Sequence, residues 1–257
     1  MSLLKTSSLN LSIGDIQICE DLSINCEAGD VWGVLGRNGK GKTTLLHTLA
    51  GLRPANSGEI LLDQKNIKDL TRKQIAQQLG VLLQHHEDSF PSTVLETVIT
   101  GRHPHIQQWQ WQWESKTDWE IARQALETVQ LSHLAERPIN QLSGGERQRV
   151  SIATLMTQNP DILLLDEPNS HLDLKYQIQL LTHLCEQAKS KQQCILMTLH
   201  DLNLAARFCN KLILLLENGR TIAGDTSELL SEENLLHLYD YPVMRIDSEC
   251  SSVFVAK

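Results

Sequence analysis

The run Gly36-Arg37-Asn38-Gly39-Lys40-Gly41-Lys42-Thr43 places a glycine, four further residues and then Gly-Lys-Thr. That spacing suits phosphate binding. Glycines let the backbone wrap closely around an anion and aim its N–H groups inward, and a helix that begins at the lysine adds the partial positive charge of its N-terminus. Lys42 is placed to reach the β- and γ-phosphates of a nucleotide, Thr43 to offer its hydroxyl to Mg²⁺, and Thr44 to add a further contact. A plain glycine turn before a helix is the alternative. Chance produces the full pattern in on the order of one chain in a hundred, and the apolar run before it with the helical pattern after it is the context the motif requires. The motif points to a nucleotide and leaves the reaction open.

Two later segments carry the rest of the chemistry. Asp161-Ile162-Leu163-Leu164-Leu165-Asp166-Glu167-Pro168 is an apolar run ending in two carboxylates. A charge at the end of a buried strand is costly without a partner. Asp166 is therefore expected to hold Mg²⁺, directly or through water, and Glu167, on the other side of an alternating strand, to face the attacking water. An acidic pair on the surface after a core strand is the bland reading. In Leu142-Ser143-Gly144-Gly145-Glu146-Arg147-Gln148-Arg149-Val150, Ser143 and Glu146 make a capping box. A cap has no need of the Gly144-Gly145 pair, which weakens a first helical turn. This helix start thus also reads as a second phosphate site.

Taken in order, these segments resemble those of ABC-type ATPases. Residues 142–150 are similar to the family's signature motif and lie, as there, between the phosphate loop and the acidic pair. Gln84 resembles the Q-loop glutamine, Ser170-His171-Leu172-Asp173 the D-loop, and His200 the switch histidine. The resemblance covers nearly the whole chain. It implies two cassettes paired head to tail, with ATP between Gly36–Thr44 of one copy and Ser143, Gly144, Gly145 and Glu146 of the other, Asp173 contributing from the D-loop. Glu167 would act as general base and His200 would contact the γ-phosphate. Gln84 would touch the metal and link the site to a transmembrane partner. Two departures stand out. The family's adenine-stacking aromatic is replaced by Ile13, which leaves apolar contact with weak base selectivity. Arg37 and Lys40 stand where proline and a small residue are common, either strengthening phosphate binding or pointing into solvent.

The resemblance also narrows the subfamily. Thr100-Gly101-Arg102-His103-Pro104-His105, residues 166–174 with Tyr176-Gln177, and residues 199–205 are similar to importer ATPases for iron-siderophores, haem and cobalamin. That implies a separate permease dimer and, indirectly, a substrate-binding protein, with this chain peripheral at the cytoplasmic face of the cell membrane. The cargo stays open. Alternatives are an exporter subunit, a soluble ABC-type ATPase acting on DNA or ribosomes, and a non-enzymatic nucleotide sensor. The soluble class usually carries two cassettes or a long coiled coil, neither visible here, and the sensor is disfavoured by Glu167 and His200.

The elements that must position these residues follow from patterning. Short apolar runs alternate with helical periodicity, which predicts an α/β fold with a mixed, largely parallel sheet and crossover helices. Strands are expected at 22–26, 31–35, 59–62, 81–83, 162–165, 195–198 and 212–216, with a hairpin through Glu217-Asn218-Gly219 into 221–223. Helices are expected at 43–50, 176–188 and 202–208. Residues 1–100 and 159–257 then form the ATPase core, with antiparallel N-terminal strands, and about 101–158 an inserted helical subdomain. Trp109, Trp111 and Trp113 alternate with Gln and read as a short extended piece that packs inside that subdomain, meets a permease or inserts at a membrane surface.

Composition sets the outer bounds. The chain has 257 residues, 41% hydrophobic and 21% charged, enough for one large α/β domain. A net charge of −8 argues against a nucleic-acid partner or an anionic membrane surface. Six scattered cysteines, none in a C-x-x-C pair, predict free buried thiols. No apolar run is long enough to cross a bilayer.

Overall fold

The computed structural model describes residues 2–83, 91–106, 114–247 and 252–257. Gln84, the tryptophans 109, 111 and 113, and Cys250 lie outside the described residues.

The strands, in chain order, are β1 (Ser2–Ile13), β2 (Ile16–Leu22), β3 (Asn25–Glu27), β4 (Val31–Gly36), β5 (Ser57–Leu62), β6 (Lys65–Asn66), β7 (Leu79–Leu82), β8 (Ile162–Leu165), β9 (Cys194–Thr198), β10 (Lys211–Leu215), β11 (Thr221–Asp225), β12 (Val243–Asp247) and β13 (Ser252–Ala256). The α-helices are α1 (Lys42–Leu49), α2 (Arg72–Gln78), α3 (Val94–Ile99), α4 (Lys116–Thr128), α5 (Gly144–Gln158), α6 (Leu174–Ser190), α7 (Leu202–Phe208), α8 (Thr226–Leu229) and α9 (Glu232–Tyr239).

The central sheet has the order β11-β10-β4-β9-β8-β7, parallel throughout except for the β10–β11 hairpin. All six residues of β4 are buried, as expected of a central parallel strand covered on both faces. On one face α1 and an antiparallel sheet, β2-β1-β5-β6 with β3 against β1, build one core around Leu9, Leu45, Leu49 and Leu62. On the other face α6, α7 and α9 pack with the β12–β13 hairpin around Leu181, Met197, Leu214 and Phe254. A third core joins α3, α4 and α5 through Val98, Leu126, Val150 and Ala153.

One expected strand divides. Residues 22–26 are not continuous: β2 ends at Leu22 and β3 begins at Asn25. Thr6 causes the break, its hydroxyl donating to the Leu22 carbonyl at 2.8 Å and accepting the Ile24 N–H at 3.1 Å. A buried hydroxyl inserted into the ladder bends the chain where periodicity alone reads a straight run. Helix α1 begins at Lys42 and stops at Leu49, with Ala50 as its C-cap and Gly51 in the left-handed region at φ +67°. The five described cysteines are free.

Candidate functional site

Three adjacent strands deliver the candidate residues to one edge of the central sheet. Val34 of β4 lies opposite Thr198 of β9, and Met197 opposite Leu165 of β8. Beyond those pairs β4 opens into the loop 36–41, β8 into Asp166-Glu167, and β9 into Leu199-His200. The carboxyl ends of parallel strands are where open α/β sheets hold ligands.

The loop's geometry is set by glycine. Gly41 is the N-cap of α1 at φ +89°, and a Cβ there would sit 2.7 Å from the Ile18 side chain of β2. Glycine alone tolerates both the dihedral and the contact. The first turn of α1, with Lys42, Thr43 and Thr44, holds no acidic residue and no side-chain cap, so its positive end is left for an external anion. Lys42 is buried, and its Nζ donates to the carbonyls of Gly36 at 2.8 Å and Arg37 at 3.4 Å. Burial pulls its pKa down, opposed by the nearby carboxylates of Glu167 and Asp166.

Thr198 organises the acidic pair. Its hydroxyl donates to Asp166 Oδ1 at 2.7 Å and accepts the Glu167 N–H at 2.8 Å. Glu167 takes φ +49°, left-handed and rare for a non-glycine residue. Strand alternation was expected to separate the two carboxylates, yet β8 ends at Leu165 and this turn does the separating. The turn is held from behind by Gln148 of α5, whose Nε2 donates to the carbonyls of Glu167 at 3.4 Å and Pro168 at 3.1 Å. In front, His200 Nε2 and Glu167 Oε1 share a hydrogen bond of 2.6 Å.

One atom tests whether these residues fit a divalent cation. Asp166 is 1% exposed, and its Oδ2 is buried with no hydrogen-bond partner. A buried carboxylate oxygen left unpaired is costly. A hard cation, which prefers oxygen ligands, or a water bound to one would satisfy it. The open oxygen of Asp166 therefore fits a divalent cation such as Mg²⁺.

The signature segment satisfies its capping reading locally. Ser143 caps α5, accepting the Glu146 N–H, while Glu146 Oε2 accepts the Ser143 N–H at 2.8 Å and hydroxyl at 2.7 Å. A Cβ on Gly145 would lie 2.9 Å from the His171 carbonyl, whereas one on Gly144 meets only ordinary contacts at 3.8 Å and beyond. Gly145 is thus explained within the chain, and Gly144 is the glycine whose open face needs another reason. Asp173 caps α6, accepting the Tyr176 N–H at 3.0 Å. Ile13 ends β1 opposite Ile16, both exposed at the hairpin tip. Arg37 and Lys40 are engaged by acids: Glu217 Oε1 takes Lys40 Nζ at 3.2 Å and Arg37 Nη1 at 3.5 Å, and Asp240 takes Arg37 at 3.9 Å. Sequence reasoning missed Thr198, the backing role of Gln148, and Glu217 with Asp240. Thr198 had one signal, a hydroxyl residue two before His200 at the end of an apolar run.

A parallel sheet whose neighbouring strand ends carry a phosphate loop, an acidic pair and a histidine defines a nucleotide-hydrolysing class. The model of the ABC transporter family matches residues 19–170. The petrobactin import ATP-binding protein FpuD of Bacillus anthracis is 39% identical over 233 residues, 90% of this chain and 84% of that protein. The hemin import ATP-binding protein HmuV of Hahella chejuensis is 37% identical over 230 residues, 86% of each. A solved structure described as a metal-chelate type ABC transporter in an inward-facing conformation superposes with a TM-score of 0.86 at 30% identity, covering 100% of this chain and 98% of that one. The chain belongs to the ABC transporter family, as an ATP-binding subunit that hydrolyses ATP. Among its described residues no helix is long and apolar enough to cross a membrane.

Proposed function

We propose that this chain powers the import of a metal chelate, a ferric siderophore, haem or cobalamin, through a separate permease dimer, working as a head-to-tail pair with a second copy of itself. The observation that carries the hydrolytic part is the Thr198-centred network: Asp166 with one free buried oxygen, and Glu167 held in a left-handed turn against His200. Support for the cargo class comes from relatives named for petrobactin and hemin import and from the metal-chelate type structure.

In this reading ATP lies with its phosphates in the loop 36–41 and over the start of α1, its base near Ile13. Lys42 exchanges the Gly36 carbonyl for the β- and γ-phosphates. Asp166 and Thr43 would hold Mg²⁺, assisted by Gln84, and when bound it would offset phosphate charge. Glu167 takes the proton of the attacking water. His200 keeps that carboxylate aimed and meets the γ-phosphate as charge develops there. Ser143 to Glu146 of the second copy, with its Asp173, close the site from the other side. The chain is then held at the cytoplasmic face of the cell membrane by its permease, which receives cargo from a substrate-binding protein.

The test is uptake by vesicles holding the permease and this subunit, with the substrate-binding protein added, offered ferric siderophore, haem or cobalamin. One of the three is expected to enter in an ATP-dependent way, and Glu167→Gln to slow that uptake by about 10²–10⁴-fold, the range for a lost general base. ATP hydrolysis with no uptake of any of the three would sink the cargo class.

A further inference from the structure

Phosphate cradling uses backbone N–H groups and Lys42. It does not by itself call for Arg37 and Lys40, yet both are tied down. The tie follows from sheet register. β4 and β10 run parallel with Gly36 opposite Leu215, so the chain leaves the sheet on both strands side by side, and the residues just beyond each must meet. Beyond Leu215 comes the turn Glu217–Gly219. Glu217 Oε1 bridges Lys40 at 3.2 Å and Arg37 at 3.5 Å, while Asp240, in the left-handed C-cap of α9, reaches Arg37 at 3.9 Å. Glu217 and Asp240 line one cleft of about 480 Å³, together with Arg220 and His237.

All four side chains are substantially exposed, from 32% for Lys40 to 84% for Asp240. Exposed pairs are individually weak and screened by salt. A triphosphate brings several charges to hydrogen-bond range at once and competes for the same cations. We propose that Glu217 and Asp240 hold Arg37 and Lys40 back from the phosphate site, and that a bound nucleoside triphosphate draws both cations off these acids, freeing the turn 217–219 and the end of α9. The loop would then carry its own electrostatic gate, and the C-terminal part of the chain would sense whether the phosphate site is filled. This rests on ATP occupying the loop 36–41.

Equilibrium dialysis of the full chain with labelled ATP tests it. At low ionic strength Glu217→Gln should bind ATP about three- to tenfold more tightly than the parent, and the gain should vanish in high salt. Asp240→Asn should move the affinity the same way by less, since its contact is the longest. In an Arg37→Ala/Lys40→Ala background Glu217→Gln should bring no gain, because the released cations are gone. Parental affinity in Glu217→Gln would overturn the gate. So would a full gain in the Ala/Ala background, which would make the effect one of field alone. A parent chain that binds no ATP would instead overturn the reading of the loop itself.

Discussion

Thr198 is the residue on which the site's geometry turns. Its single hydroxyl serves Asp166 Oδ1 and the Glu167 N–H together, and it is fully buried. Thr198→Val keeps the shape and removes the oxygen, leaving a carboxylate oxygen and a backbone N–H unpaired. Each buried orphan costs about 1–3 kcal/mol. We expect a denaturation midpoint lowered to match and a fall in ATP turnover as Glu167 loses its aim. Thr198→Ser, which keeps the hydroxyl, should recover most of both. Equal loss in Val and Ser would mean that packing of the methyl group, rather than the bridge, matters there. The same scale explains Glu167: a left-handed glutamate is maintained because Thr198, Gln148 and His200 all grip it.

At the scale of elements, α3, α4 and α5 begin alike. Thr93 with Glu96, Ser115 with Asp118 and Ser143 with Glu146 are complete capping boxes. Hydrogen bonds from the cap's backbone and hydroxyl hold Glu96 and Glu146 below the ordinary carboxylate range. Burial pushes Asp118 up, but its bonds to Ser115 and Arg102 outweigh that and leave it lowered. A carboxyl depressed by folding stabilises the fold above its unfolded pKa and loses that contribution as pH falls through the folded one. These helices should therefore weaken together in acid, below about pH 4. Melting curves from neutral to acid pH should show a flatter acid limb in the triple variant Glu96→Gln, Asp118→Asn, Glu146→Gln, whose amides still accept cap bonds but do not titrate. An unchanged acid limb would place the sensitivity elsewhere. Arg102 explains part of the segment 100–105 in the same terms: it clamps Asp118 at 2.7 Å and the Thr157 carbonyl at 3.1 Å, so this stretch ties α4 to α5.

At the scale of the whole molecule, the proposed function gives one chain two kinds of phosphate-binding surface: the loop before α1 and the start of α5. Ser143 serves as a cap whether or not a second copy is present, so stability and assembly must be read apart. Glycine at an N-cap costs only a few tenths of a kcal/mol relative to serine. Sedimentation of Glu167→Gln with ATP should show a doubled mass. Adding Ser143→Gly should leave the melting temperature nearly unchanged and abolish the doubling. Persistence of the dimer in the double variant would remove Ser143 from the composite site.

What could be read from the sequence was local. The phosphate loop, the acidic pair and the Ser143–Glu146 capping box are contiguous, and their chemistry depends on neighbours a few residues away, so spacing alone carries it. The apolar runs at 31–35, 162–165 and 195–198 declared buried strands for the same reason. The long β1 strand, the break between β2 and β3, and the β12–β13 hairpin were weakly marked, because half-polar strands are decided by what packs on them. Tertiary structure alone decided which strands adjoin. The order β4-β9-β8 brings Thr198 to Asp166 across 32 residues, and the parallel β4–β10 register brings Glu217 to Lys40 across 177. Strand order has no period in a single sequence. The phosphate loop was therefore evident at once, while the hydroxyl that aims its acids and the carboxylates that hold its cations emerged only from the fold.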